Sequence, residues 1–177
     1  MLVQLKKMEE VRKNTNWYAL VCKSRAEKKV YTRLAEAGHE VFLPLVVELK
    51  QWSDRIKKVE KPLVPSYVFV NTEEKTLNTY LEDIGIVRVF KFLGKPAVIT
   101  QKEIEVLRVL VQEGVAPAIL DRKQLTKGTA VSIVKGPFKG LDAQCLQYQG
   151  KYRIVIETKA LGVAIALNVP LNFVEKQ

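Results

Sequence analysis

The side chains most able to do chemistry in this chain are few and scattered. His39 is the only histidine, and Cys22 and Cys145 are the only thiols. A Ser-His-Asp or Cys-His arrangement would need His39 beside a nucleophile. Cys22 lies in an apolar, strand-like run, where a buried structural cysteine is commoner than a reactive one. Two such cysteines make neither a disulfide framework nor a metal-ligand spacing. No Walker-type glycine loop, dinucleotide fingerprint or HExxH-like pair is present. The residues predict a protein that binds rather than an enzyme, with no cofactor and no metal.

What it would bind is suggested by charge. In 177 residues, 29 Lys+Arg stand against 19 Asp+Glu, a net charge of +10 with a pI near 9.6. Such an excess attracts polyanions, and nucleic acid is the usual one. On a helix beginning at Arg25, residues Arg25, Lys28, Lys29 and Thr32 share a face, with Arg33 at its margin and Lys23 in the preceding turn. That face is either a phosphate-contacting surface or the solvated side of an amphipathic helix. Lys50, Arg55, Lys57, Lys58 and Lys61, with Trp52 among them, make a second basic patch. Trp52 can stack on a base or fold back on its own hairpin.

Aromatic residues form a third set. Tyr67 and Phe69 alternate along one strand and Phe90 and Phe92 along another, so each pair faces one side of a sheet. Such pairs either pack a core or line an exposed groove for a partner helix.

The elements that must position these residues can be read from periodicity. Trp17 to Cys22 reads as a central buried strand. Ser24-Arg25-Ala26-Glu27 matches a capping box, followed by Val30, Leu34 and Ala37 at helical spacing and by Gly38 as the stop. His39 to Leu49 is strand-like and broken at Pro44, and Gln51 to Lys61 is a charged hairpin. Leu63 to Val70 is a strand. Thr72 caps a short helix carrying Leu77, Leu81 and Ile84, and Ile86 to Leu93 is one further strand. Thr100 to Glu103 repeats the capping pattern ahead of a last helix that ends at Gly114. The order β-α-β-β-α-β, plus a helix, predicts an α+β ferredoxin-like fold with a four-stranded antiparallel sheet.

Beyond Pro117 the pattern changes to short strands over 129–134, 144–148, 152–157 and 162–169, punctuated by Gly136-Pro137, Gly140 and Gln149-Gly150. These suit a small SH3-like barrel. The expected organisation is a flexible extension over 1–15, a first domain over 16–113, a linker over 114–124 and a barrel over 125–177. No apolar run approaches the ~20 residues of a membrane span. The start of the chain has no signal-peptide pattern, which predicts a cytoplasmic protein with reduced thiols.

Several of these runs resemble the NusG family. Trp17-Tyr18, Pro65-Ser66-Tyr67-Val68-Phe69-Val70, Val87-Arg88-Val89-Phe90-Lys91-Phe92-Leu93-Gly94 and Pro96-Ala97-Val98-Ile99 are similar, in order and spacing, to its N-terminal domain. Val131 to Gly140 resembles the KOW motif of its C-terminal domain, with Ala143 where the pattern usually ends in glycine. Leu20-Val21-Cys22-Lys23 looks like RfaH, which brings the specialised paralogs, RfaH and the UpxY antiterminators of polysaccharide operons, nearest.

The resemblance implies a monomeric transcription antitermination and elongation factor that docks on the clamp helices of the RNA polymerase β′ subunit and suppresses pausing. Val64, Pro65, Tyr67, Phe69, Phe90 and Phe92 fall where that family builds its docking cavity. Lys23, Lys29 and Arg33 fall where RfaH touches the exposed non-template DNA strand. The RfaH segment that meets the polymerase β gate loop is a His-Thr-Thr run, and here Thr76-Leu77-Asn78 stands in its place, without the His. The KOW domain would recruit another factor, which in the general family member is Rho or a ribosomal protein. Two alternatives stand beside this reading: a housekeeping elongation and termination factor, and a KOW-containing RNA- or ribosome-binding protein with no polymerase contact.

Overall fold

A computed structural model describes residues 15–51, 55–114, 118–121, 128–148, 151–158, 163–167, 169 and 171–177. The chain divides into two compact units, one of residues 1–45 with 61–101 and the other of 46–60 with 102–177.

The first unit is built on β1 (Asn16–Cys22), which pairs antiparallel with β5 (Tyr67–Thr72) on one side and β6 (Ile86–Val89) on the other. The edge strand β2 (Glu40–Phe42) joins β5, giving a four-stranded antiparallel sheet of order β2-β5-β1-β6. With α1 (Glu27–Glu36) between β1 and β2, and a 3-10 helix (Glu74–Glu82) between β5 and β6, this is the expected split plan. Trp17–Cys22 is central, as its apolar residues on both faces require.

Alternation along the strands separates the two faces. Tyr18 lies opposite Val70 and Leu20 opposite Val68. These four, with Cys22, Ile86 and Val89, form a core with Val30 and Leu34 of α1 and Leu77 and Tyr80 of the 3-10 helix. On the other face Ala19 lies opposite Phe69. Trp17, Ala19 and Phe69 are buried there too.

Two predicted helix starts differ from what is observed. The Ser24–Glu27 capping box does not form: Arg25 takes a left-handed φ of 64°, Ala26 is the N-cap, and no side chain caps the helix. Glu27 is turned inward and bonded elsewhere. Thr72 bonds the Thr76 hydroxyl rather than a helix N–H. The helix after it is 3-10, burying Leu77 and Tyr80 while Leu81 and Ile84 stay exposed. The expected stop at Gly38 is present: at φ +82° its N–H bonds Ala35 O while His39 N–H bonds Leu34 O, the pair of bonds of a Schellman cap.

Ile86–Leu93 is not one strand. β6 ends at Val89, and β7 (Lys91–Phe92) folds back on β8 (Lys95–Pro96) around Leu93-Gly94. The chain then reaches Gln101, whose Oε1 accepts the Trp17 indole N–H at 3.0 Å.

In the second unit, β3 (Leu45–Gln51) and β4 (Ile56–Pro62), which begin and end just outside it, form the charged hairpin. Trp52 lies outside the described residues. α2 (Gln101–Gln112) begins directly after Thr100 and buries Ile104, Val106, Leu107 and Leu110. The C-terminal strands are β9 (Ala118–Asp121), β10 (Thr129–Ile133), β11 (Asp142–Tyr148), β12 (Lys151–Thr158), β13 (Val163–Leu167) and β14 (Val174–Lys176). They make one antiparallel sheet of order β14-β10-β11-β12-β13-β9. Ala118–Asp121, in the stretch expected to be linker, pairs with β13.

Candidate functional site

Tyr67 opens β5 and Phe90 follows the end of β6, on the two strands that flank β1. Ser66 has a φ of 66°, a conformation that must be held in place for a non-glycine residue. It is held on both sides: its N–H donates to Glu27 Oε1 at 2.8 Å, and its carbonyl accepts the Cys22 N–H at 2.8 Å. One residue later Tyr67 emerges half-buried, its ring edge-to-face with Phe90 at 5.8 Å and 76°, a favoured aromatic geometry. Phe90 is fixed through its backbone, donating to Ala19 O at 2.8 Å and accepting from Ala97 N–H at 3.1 Å.

The six residues assigned to docking therefore divide by depth. Pro65 and Phe92 are exposed, Tyr67 and Phe90 half-buried, and Val64 and Phe69 buried. Phe69 is 0% exposed and packs against Phe42 at 6.2 Å, whereas Phe92 is 56% exposed. Strand alternation placed Tyr67 and Phe69 on one face correctly. It could not tell that the chain itself covers the second of them.

The basic residues sit beside the start of α1. Lys23 and Lys29 are exposed, with no ion-pair partner among the described residues. Arg33 is different. Its Nε and Nη2 donate to the two Asp83 oxygens at 2.7 and 2.6 Å, a bidentate pair. This hydrogen bonding lowers the Asp83 carboxyl below its usual range and raises the Arg33 guanidinium. Asp83 also accepts the Gly85 N–H at 2.7 Å. Gly85 in turn accepts the Lys23 N–H at 2.9 Å, so the turn carrying Lys23 is tied to the corner carrying Asp83. A Cβ at Gly85 would lie 2.4 Å from Val30 Cγ2. Nothing larger fits under the helix.

Between the 3-10 helix and the β6–β8 segment lies a groove of about 430 Å3, lined by Leu77, Asn78, Leu81, Arg88, Val89, Lys91, Pro96 and Glu74. Burial pushes the Cys22 thiol up to about 12, and His39 meets the Tyr80 hydroxyl through Nδ1 at 3.2 Å. No cluster able to hold a metal ion occurs among the described residues. Among the same residues no helix is long and apolar enough to cross a membrane.

In the C-terminal sheet, the β10–β11 connection is a tight turn between Gly136 (φ +80°) and Gly140 (φ +87°). Phe138 is buried within it, and Lys135 and Lys139 are exposed. A Cβ on Gly136 would stand 3.0 Å from the Phe173 ring. Ala143, the departure from the usual pattern, is a buried position on β11.

One solved structure is similar in fold. Titled "Domain interaction in Thermotoga maritima NusG", it superposes with a TM-score of 0.52 at 17% identity, over 93% of this chain and 98% of that one. At that identity the likeness is one of fold. Two conformations of an MjSpt4:Spt5 complex align at 18% and 20% identity over 91% and 90% of this chain and 97% and 95% of theirs. Their TM-scores are 0.29 and 0.30, too low to carry the fold. The family model described as "NusG: Transcription termination factor nusG" matches residues 15–108, slightly more than half of the chain. That match spans the four-stranded sheet, the basic helix and the aromatic strands together, so the chain belongs to the NusG family of transcription factors.

Proposed function

We propose that the chain is an elongation factor of the antiterminating kind, which docks on the β′ clamp helices of RNA polymerase and suppresses pausing and termination on particular operons, polysaccharide operons among them. The observation that carries this reading is the edge-to-face contact of Tyr67 with Phe90, which we extend to Pro65 and Phe92 as one ridge. Apolar residues there are exposed or half-exposed, yet the backbone beneath them is fixed by four hydrogen bonds, at Ser66 and Phe90. A rigid apolar ridge suits a helical partner. Lys23 and Lys29, free of ion pairs among the described residues, suit the non-template strand. The Gly136–Gly140 turn supports reading the C-terminal sheet as a KOW domain that recruits a further protein. The chemistry is binding, not bond-making: a factor that prefers the elongating polymerase shifts the enzyme toward that state in proportion to the preference. Core RNA polymerase passed over the immobilised full chain tests this. Retention that is lost in a Tyr67→Ala/Phe92→Ala double variant is expected. Equal retention by wild type and variant would remove the ridge from the docking site.

A further inference from the structure

We propose that Leu93 is a knob that seats in an apolar pocket on RNA polymerase, one rimmed by carboxylates facing Lys91 and Lys95. The proposal rests on the docking reading above and adds to it a residue and the chemistry of its receptor.

Leu93 and Gly94 are the two central residues of the β7–β8 hairpin, with φ of 49° and 81°. A hairpin turn with positive φ at both central positions is of type I′, and Asn-Gly or Asp-Gly is the pair that adopts it readily. Leucine has no side-chain amide to stabilise that conformation, and its Cβ crowds the backbone there. The five glycines of the described residues with positive φ, at 38, 94, 114, 136 and 140, show the usual solution. The two other non-glycine residues with positive φ have polar side chains, Arg25 and Ser66, and Ser66 is tethered by hydrogen bonds.

Leu93 is also 89% exposed. A strained backbone and an apolar side chain in water both disfavour leucine here in the free protein, and nothing among the described residues offsets either. Ile84 is similarly exposed, at 84%, but has no positive φ. Exposure alone does not single out Leu93; the combination does.

Its surroundings define the receptor. Phe92, exposed beside it, belongs to the proposed docking ridge, so the knob extends the surface proposed to meet the polymerase. Lys91 lies opposite Pro96 and Lys95 opposite Phe92 in the hairpin. Both lysines are exposed and have no ion-pair partner among the described residues. An apolar tip between two cations fits an apolar pocket with an acidic rim.

The test uses the full chain, core RNA polymerase and three variants: L93N, L93M and F92A. Asparagine tolerates the left-handed region, so L93N is expected to raise the thermal unfolding midpoint while weakening polymerase affinity roughly tenfold to hundredfold, the loss of one buried leucine. L93M, apolar and of similar volume, keeps wild-type affinity. Stability and binding moving in opposite directions is a result that a purely structural role cannot produce. Wild-type affinity in L93N beside weakened F92A overturns the proposal and leaves the docking reading standing. Wild-type affinity in both overturns the two together. A change in self-association of L93N, seen by sedimentation, with polymerase affinity unchanged, would give the tip to a second copy and also overturn it.

Discussion

The carboxylate of Glu27 reaches from the first turn of α1 to the backbone N–H of Ser66, 39 residues away in sequence, at 2.8 Å. Glu27 is one of two buried polar or charged residues among those described. It orders the turn from which Tyr67 emerges. In Glu27→Ala the part-buried N–H is left without its acceptor, which costs about 1–3 kcal/mol. Glu27→Gln keeps an oxygen at the same reach and is expected to cost less. Urea unfolding of the two variants checks the order, and equal losses would mean that the hydrogen bond is not what matters at this position.

Phe69 and Phe92 come from the same aromatic set and should answer truncation oppositely. Phe69→Ala removes a fully buried ring and is expected to cost about 3–5 kcal/mol. Phe92→Ala, at a surface position, should stay within about 0.5 kcal/mol of wild type and still weaken polymerase binding. Thermal unfolding set beside a binding titration reads both quantities. A stable Phe69→Ala protein would contradict the observed packing against Phe42.

The three cations assigned to the non-template strand should not contribute equally. Replacing Lys23 and Lys29 by Gln removes two uncompensated charges. The slope of log affinity against log salt for single-stranded DNA should flatten by roughly 1.4, about 0.7 for each phosphate no longer neutralised. Arg33→Gln should change it less, because Asp83 already holds that guanidinium. Fluorescence anisotropy over a salt series gives the slopes, and an unchanged slope in the double lysine variant would return the helix to a solvated face.

Asp83 makes the fold sensitive to acid in one direction. Its carboxyl titrates below the unfolded value of about 3.9. The stabilisation is therefore fully present above about pH 4 and fades as pH falls through the lower, folded value. Asp83→Asn abolishes that dependence. The gap between wild-type and variant unfolding midpoints should be widest near neutrality and close as the pH drops below about 4. A gap that widens in acid would reverse the assignment.

Much of the first sheet was legible because its signals are local. Trp17–Cys22 announces a strand apolar on both faces, and Gly38 stands just past the last helical turn, where a left-handed cap is needed. The failures are non-local. Ser24 and Glu27 have capping-box spacing, but the left-handed Arg25 shifts the helix start and Glu27 goes to Ser66 instead. The alternation of Tyr67 and Phe69 reveals a shared face and nothing of what lies over it. The β7–β8 turn was missed because Leu93-Gly94 lacks the asparagine or aspartate that usually marks such a hairpin. The glycine followed by Lys95-Pro96 was the only available hint.

Gly85 divides the basic region into a frame and a set of replaceable letters. Beneath α1 the frame is closed: no side chain fits between Gly85 and Val30, and the Lys23–Gly85–Asp83 hydrogen bonds lock the corner. On the outer surface Lys23, Arg25, Lys29 and Thr32 are all exposed. Such positions usually accept substitution with little change in stability. Under the proposed contact with the non-template strand, changing those few side chains retunes the contact, while the scaffold that presents them stays the same.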